Sequence, residues 1–141
     1  MLPELLVSTA MVVVTVLIHA TGLLLLARLT RREARAEASN SIQPLSLRGV
    51  AMIVTVVLGL FALHGFEIWL YAALYLELSA IEGLRHAVYF STQTYAAIGY
   101  GDEAIAPGWK LVAAIEGING LLLIGWSTAF FVTLMGRLGR G

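Results

Sequence analysis

The distribution of charged residues along the chain is the feature that most restricts its fold. Between Glu4 and Arg28 lie 23 consecutive residues without a formal charge. A bilayer core of roughly 30 Å requires about 20 helical residues, so this run is long enough to cross a membrane. Only 13% of the 141 residues are charged, whereas soluble domains carry about 25%. The sequence therefore predicts a membrane protein whose first helical span lies within residues 1–28.

Two further stretches are long and apolar enough to span a bilayer. A second span is expected to begin at about residue 47, because Gly49 to Phe66 carry no charge and an apolar segment follows Glu67. A third is expected at residues 108–136. The far end of the second span carries three aromatic residues that suit a belt at the membrane interface, namely Trp69, Tyr71 and Tyr75.

Arginine residues set the expected orientation. Most flank the hydrophilic linker at residues 29–46, and two more follow the third span: Arg28, Arg31, Arg32, Arg35, Arg48, Arg137 and Arg140. The positive-inside rule places the linker and the C-terminus in the cytoplasm and the N-terminus outside, as in a multi-pass protein of the cell membrane. A cleaved signal peptide is the alternative for the first run, but its basic residues should precede the apolar segment rather than follow it.

Several classes of function are disfavoured by what the sequence lacks. A formal net charge of zero gives no basic surplus for binding nucleic acid, and the absence of cysteine excludes disulfides and thiolate metal sites. No pairing of a nucleophile with a base occurs outside the spans, so we expect neither an enzyme nor an organic cofactor. No span carries arginine at every third position, and we expect neither a voltage sensor nor a soluble ligand-binding domain.

The segment between the second and third spans is apolar but too short to cross the membrane. A helix is expected at residues 84–95, and Gly99 and Gly101 then argue against further helix. Non-helical backbone at membrane depth is tolerated only when it is buried in protein or lines a water-filled cavity, so this segment is expected to be re-entrant. Backbone carbonyls in such a loop can replace the hydration shell of a cation, and the helix C-terminus adds a partial negative charge. Both features favour a cation pore built from several chains, whereas the alternative is a simple glycine-containing turn.

The residues from Tyr89 to Asp102, YFSTQTYAAIGYGD, resemble the pore helix and selectivity filter of tetrameric potassium channels, with inward rectifiers and bacterial channels the most similar. The resemblance implies an all-α membrane protein in which residues 47–141 form the pore module of a homotetramer in the lipid bilayer. It implies a filter at residues 97–102, where carbonyls of Ala97, Ile98, Gly99 and Tyr100, followed by Gly101, hold potassium ions. The expected function is passive potassium flux; a poorly selective cation channel and a non-conducting regulatory subunit are the alternatives.

Two departures from the family pattern affect the filter. Ala96 and Ala97 stand where the family usually has two threonines, so the resemblance implies a weaker innermost ion site. Gln93 stands where a glutamate often lies behind the filter. Asp102 is expected to brace the filter with the help of three residues, Gln93, Tyr89 and Thr94, unless it is a solvated surface acid.

Polar residues inside the spans are candidates for function. His64 and Glu67 are three residues apart on one helical face, and Glu116 and Asn119 repeat that spacing. Glu116 is expected to bond the short helix through Thr92 or Thr94, either as a pH sensor or as a structural contact.

The remaining candidates are one glycine and two histidines. Gly120 is either a gating hinge, as the resemblance implies, or a point of close helix packing. His19 and His86 are expected to be packing and surface residues, because a metal site lacks partners in the sequence.

Overall fold

The computed structural model describes residues 1–36, 47–99, 101 and 103–138 of the chain. These residues form four α-helices with no strand among them, and a single 3₁₀ turn, Pro107–Trp109, precedes the last helix. The helices are α1 (Leu2–Ala36), α2 (Leu47–Glu77), α3 (Leu84–Tyr95) and α4 (Lys110–Leu138). Three of them, α1, α2 and α4, are long and apolar enough to cross a membrane, and this confirms the all-helical membrane fold.

Helix α1 is longer than the sequence predicts. It continues through Ala36, so residues 29–36, which were expected to belong to the linker, are helical. Apart from Thr30, this segment consists of the helix-favouring residues alanine, leucine, arginine and glutamate, and it has neither glycine nor proline to interrupt the helix once the apolar span ends. The rest of the expected linker, residues 37–46, lies outside the described residues.

Helix α1 packs against α4 and α2 of the same chain. Its buried face is largely polar and carries Ser8, Thr15, His19 and Thr30 together with Leu23. Large apolar side chains such as Leu17 and Leu24 are exposed on its other faces. The first span therefore presents apolar side chains to lipid and polar side chains to the protein. Composition alone did not indicate where this helix packs.

Helix α3 lies between α2 and α4 and contacts both. The loop that leads into it begins at the end of α2, where Ser79 adopts a left-handed φ of 49° and the Ala80 N–H donates to the Tyr75 carbonyl at 2.8 Å. The Ala80 carbonyl in turn accepts a bond from the Ala106 N–H at 2.9 Å. The loops before and after the α3 segment are thus joined by a backbone hydrogen bond, which holds the two ends of this segment together.

The aromatic belt predicted for the end of α2 is only partly correct. Trp69 is exposed, as a belt residue should be, but Tyr71 and Tyr75 are fully buried in the core. The Tyr75 ring meets Phe90 of α3 edge to face with a centroid separation of 5.5 Å. A tyrosine suits either a membrane interface or a core position where its hydroxyl finds a polar partner, and here both hydroxyls are hydrogen-bonded inside the helical bundle.

Candidate pore loop and buried polar clusters

Helix α3 ends in a Schellman motif, which turns the chain sharply into the loop. The Ile98 N–H donates to the Gln93 carbonyl and the Ala97 N–H donates to the Thr94 carbonyl, both at 2.9 Å. Ala97 occupies the left-handed position of this motif with a φ of 55°, where glycine is usual because a Cβ atom is strained there. The motif fixes the direction in which the loop leaves the helix.

Left-handed residues recur at every second position in the described part of the loop. Ala97, Gly99 and Gly101 have φ angles of 55°, 70° and 84°, whereas Ile98 between the first two does not have a positive φ. Alternation between left- and right-handed conformations turns successive peptide groups toward the same side of the chain. The Gly101 N–H also donates to the Gly99 carbonyl at 2.9 Å, and that oxygen keeps a second lone pair. The described part of the loop is therefore suited to present carbonyl groups in a row.

Two of the residues expected to support the loop, Gln93 and Thr94, lie beside it. Gln93 and Thr94 are half-buried and line a cavity of about 370 Å³ that also borders Ala97, while Tyr89 is 65% exposed. Tyr100 and Asp102 lie outside the described residues. The expected bracing of the filter by Asp102 therefore stays a prediction.

A buried carboxylate connects α4 to the two helices beside it. The Tyr75 hydroxyl of α2 donates to Oε2 of Glu116, and Ser91 Oγ of α3 lies 2.5 Å from Oε1. Ser91 Oγ is also 3.0 Å from the Ile68 carbonyl. A serine has one hydroxyl proton, so it can donate to only one of these two acceptors at a time. We call these three side chains, Tyr75, Ser91 and Glu116, the Glu116 cluster.

Glu116 contacts α3 through a residue other than those expected. Thr92 and Thr94 were the candidates, but the contact is made by Ser91. The Thr92 hydroxyl donates instead to the Val88 carbonyl within α3 at 2.7 Å. One position along a helix rotates a side chain by about 100°, so Ser91 reaches the buried face while its neighbour is exposed.

A second cluster closes into a ring that includes one or more residues from every helix. The Tyr95 hydroxyl donates to Oε2 of Glu67, and His19 Nδ1 lies 3.0 Å from Oε1 of the same carboxylate. His64 Nδ1 is 2.9 Å from the Tyr95 hydroxyl. Ser127 Oγ is 3.0 Å from His64 Nε2 and 3.2 Å from His19 Nε2. We call these five residues the polar ring.

The polar ring couples α1 to the start of the loop. His19 and Glu67 have no exposed surface, and Tyr95 is the last residue of α3, two positions before the left-handed Ala97. A displacement of α1 would therefore change the contacts of the residue that precedes the Schellman turn. The ring thus connects the first span to the loop through side chains alone.

Asn119 makes a further polar contact with α1. Its Nδ2 donates to Thr15 Oγ1 at 2.8 Å and approaches the Tyr71 hydroxyl at 3.3 Å. It does not join Glu116, although the two share a helical face.

At the N-terminus of α4, the Leu111 N–H donates to the Glu4 carboxylate at 3.3 Å. A carboxylate there is favoured because it faces the positive end of the helix dipole.

Two glycines allow α4 to approach the end of α3 closely. A Cβ atom on Gly120 would overlap the carbonyl group and the ring of Tyr95, and one on Gly117 would lie 3.2 Å from the Thr94 carbonyl oxygen. By contrast, a Cβ on Gly125 would meet no described atom within 4 Å. The geometry at Gly120 is therefore that of close helix packing, one of the two roles expected for it.

The expectation that His19 lacks metal-binding partners is wrong. One ligand atom from each of His19, His64 and Glu67 lies within 4.8 Å of the others. Two of these residues are distant in sequence from the third, and only the packing of α1 on α2 brings them together. Sequence spacing within α2 indicated that His64 and Glu67 share a face but gave no sign of the third residue. His86 is exposed on the surface.

An apolar cavity of about 530 Å³ opens beside the polar ring. Side chains from α2, α3 and α4 surround it, and three members of the ring, His64, Tyr95 and Ser127, lie at its border. His64 is the more accessible of the two ring histidines, with 17% of its side chain exposed. The cavity therefore borders the ring on its His64 side.

Sequence reasoning missed the polar contacts of several buried residues: Thr15, Tyr71, Tyr75, Ser91 and Ser127. One signal existed in α1, where Ser8, Thr15 and His19 recur at intervals of seven and four residues, which is the spacing of one helical face. For an isolated serine or tyrosine no such signal exists, because both also occur on lipid-facing and interfacial surfaces.

The chain was compared with known proteins and structures. Residues 52–137 match a protein-family model described as "Ion channel". This region is more than half of the chain and contains all of α3 and most of α2 and α4. No curated protein and no solved structure matches the chain.

Proposed function

The chain belongs to the ion-channel family, and on that basis we propose that it assembles as a homotetramer that conducts potassium ions passively across the cell membrane. The observation that carries the proposal is the loop after α3. Three of its described residues, Ala97, Gly99 and Gly101, have left-handed φ angles in a stretch that reads Ala-Ile-Gly-Tyr-Gly-Asp. A row of carbonyls from each chain can replace the hydration shell of a potassium ion when several rows meet around an axis.

Assembly around an axis is required because one chain supplies one row. The surface of the chain is compatible with further protein contacts as well as lipid, since only about a fifth of the residues in each span are buried within it. Exposed apolar residues on α4 include Ile118, Leu121 and Leu122. We propose that four copies meet through this helix and through α3, with the N-terminus outside and the arginine-rich ends of the spans in the cytoplasm.

Ion flux into liposomes tests the proposal directly. The purified chain should pass potassium into potassium-free vesicles, and barium should block this flux. Gly99→Ala should abolish it, because alanine is strained at a φ of 70° although its Cβ would have no described neighbour within 4 Å. Gly65→Ala is the matched control: its Cβ also has open space, but the residue lies in regular helix, so flux should be retained.

Three results would count against the proposal in different ways. A monomer on native mass analysis would exclude the tetramer. A tetramer without flux would favour a non-conducting subunit, and full flux by Gly99→Ala would show that the loop conformation is not required.

A poorly selective cation channel is the second candidate, and Ala97 favours it. The side chain at this position carries no hydroxyl, so the innermost site can use only backbone oxygen. We propose that the carbonyls of residues 98–100 are sufficient for selectivity, and that potassium permeates at least tenfold faster than sodium. Equal permeability of the two ions in the same vesicles would establish the second candidate instead.

A further inference from the structure

The polar ring contains a group of ligand atoms whose chemistry matches that of a zinc site. Two imidazoles and one carboxylate form the protein ligand set of many zinc centres that keep one coordination position open. His19 Nδ1 is 3.0 Å from Glu67 Oε1, and His64 Nδ1 is 3.6 Å from Oε2. In a tetrahedral site with bonds of about 2.0 Å, neighbouring ligand atoms lie about 3.3 Å apart. The two nitrogen–oxygen separations are therefore close to this value, and one ligand atom from each residue lies within 4.8 Å of the others.

We propose that His19, His64 and Glu67 form a binding site for a divalent transition-metal cation, of which zinc is the best match. The ion lies between the two Nδ1 atoms and the carboxylate. It joins α1 to α2. One of its ligands, His64, also lies within hydrogen-bonding distance of Tyr95 of α3 and Ser127 of α4. The site is separate from the loop carbonyls, and its ligands are side chains of the transmembrane helices.

The atoms behind the ligands are arranged to hold them in place. Metal-bound histidine normally donates its second ring N–H to an oxygen, which fixes the tautomer and the ring orientation. Both Nε2 atoms point at Ser127 Oγ, at 3.2 Å for His19 and 3.0 Å for His64, and a hydroxyl oxygen can accept two such bonds. The Tyr95 hydroxyl donates to Glu67 in the same way. When an ion binds, His64 Nδ1 loses its proton and exchanges its contact with the Tyr95 hydroxyl for the ion, and each ring nitrogen and each carboxylate oxygen then has a partner.

Counting protons shows that the ring lacks one positive charge, which either a fifth proton or a metal ion would supply. Its five contacts need one proton each, whereas two neutral imidazoles, a tyrosine, a serine and a carboxylate supply four. Without an additional cation, a carboxylate is buried with a net negative charge and an unfilled contact, which is unfavourable inside a membrane. A metal ion supplies the missing positive charge.

The open side of the site faces the apolar cavity. His64, Tyr95 and Ser127 border this cavity of about 530 Å³. His64 is the one accessible ligand, so an ion enters past its side chain, and a water molecule or a small anion can occupy the fourth coordination position. The other charged or titratable groups packed nearby, Tyr71 of α2 and Glu116 of α4, belong to other contacts.

Zinc content of the purified full-length chain tests the proposal. The chain is freed of any purification tag, stripped with a chelator, incubated with zinc chloride and passed through a desalting column before metal analysis. One zinc ion per chain is expected. X-ray absorption at the zinc edge should show two imidazole nitrogens and a carboxylate oxygen at about 2.0–2.2 Å.

The chain provides its own matched control, because it contains three histidines and His86 is exposed. His86→Gln should bind zinc like the wild type, whereas His64→Gln and Glu67→Gln should bind at least tenfold more weakly. Ser127→Ala removes only the outer hydrogen bonds and should weaken binding by about 10- to 100-fold. Circular dichroism and the elution volume verify that each variant is folded.

The measurements on wild type decide the question even if the ligand variants fail to fold. Substoichiometric zinc, an all-oxygen coordination shell, or loss of zinc in His86→Gln would overturn the proposal. These results are independent of potassium flux, so the metal site and the channel function can fail separately.

Discussion

Replacing Gly120 by alanine should destabilise the protein, although the same change in an exposed helix is normally stabilising. Alanine is favoured over glycine in a helix by about 1 kcal/mol. At this position, however, the added Cβ overlaps the carbonyl group and the ring of Tyr95, and a backbone group cannot move aside as a flexible side chain can. Overpacking of this kind costs about 1–3 kcal/mol, and we expect a value at the upper end.

Two other glycines in α4 make the prediction quantitative. Gly125→Ala places its Cβ in open space and should gain about 1 kcal/mol, while Gly117→Ala, at 3.2 Å from the Thr94 oxygen, should be close to neutral. Both Gly120→Ala and Gly125→Ala gain the same helix propensity, so the difference in their stability is the cost of overpacking alone. Gly120→Ala should therefore be less stable than Gly125→Ala by about 3 kcal/mol. The assay is unfolding in mixed detergent micelles, followed by circular dichroism at a fixed protein concentration.

Equal stability of Gly120→Ala and Gly125→Ala would refute the reasoning, because it would mean that α4 does not approach Tyr95 as described. If Gly120 acted mainly as a hinge, Gly120→Ala would change the open probability of the channel while its unfolding midpoint stayed with that of Gly125→Ala. The two measurements together therefore separate packing from hinge bending.

Three further predictions concern the loop and the buried clusters. Glu116→Gln should be as stable as the wild type, because an amide can donate to Ser91 and accept from Tyr75. Glu116→Ala should lower the free energy of unfolding by about 1–3 kcal/mol, because it leaves those two groups unpaired. If the pH dependence of the current is unchanged in Glu116→Gln, Glu116 is not a pH sensor. Ala97→Gly should relieve the strain of the left-handed conformation and raise the free energy of unfolding by up to about 1 kcal/mol in the same assay. Ala96→Gly should give no such gain, because Ala96 has a right-handed backbone conformation. A double-mutant cycle that combines Asn119→Ala with Thr15→Val should give a coupling energy of about 0.6 kcal/mol or more. A coupling energy near zero would contradict the contact between these two side chains.

The spans and the short helix could be predicted because they depend on local properties of the sequence. A run without charge must lie in lipid or in a core, and the length of each run distinguishes the crossing helices from α3, which spans Leu84–Tyr95. The glycines at 99 and 101 likewise indicate where the helix must stop, since both adopt positive φ angles.

The buried polar contacts could not be predicted, because they depend on how helices rotate and slide against one another. Ser91 rather than Thr92 reaches Glu116, a difference of one position that only the packed structure determines. The same limit applies to Tyr71 and Tyr75, because a tyrosine suits a membrane interface as well as a buried position. His19 could not be connected with Glu67 across 48 residues from spacing alone. The bracing role of Asp102 remains a prediction.

The inward polar face of α1 restricts how a three-span chain of this kind can be shortened. His19 and Thr15 are direct partners of Glu67, Ser127 and Asn119. Deleting the first span would remove one hydrogen-bond partner from each of these three side chains and uncover them, and a polar group that loses its partner in hydrocarbon costs several kcal/mol. For the same reason, a truncated chain for laboratory work would need apolar substitutions at all three positions.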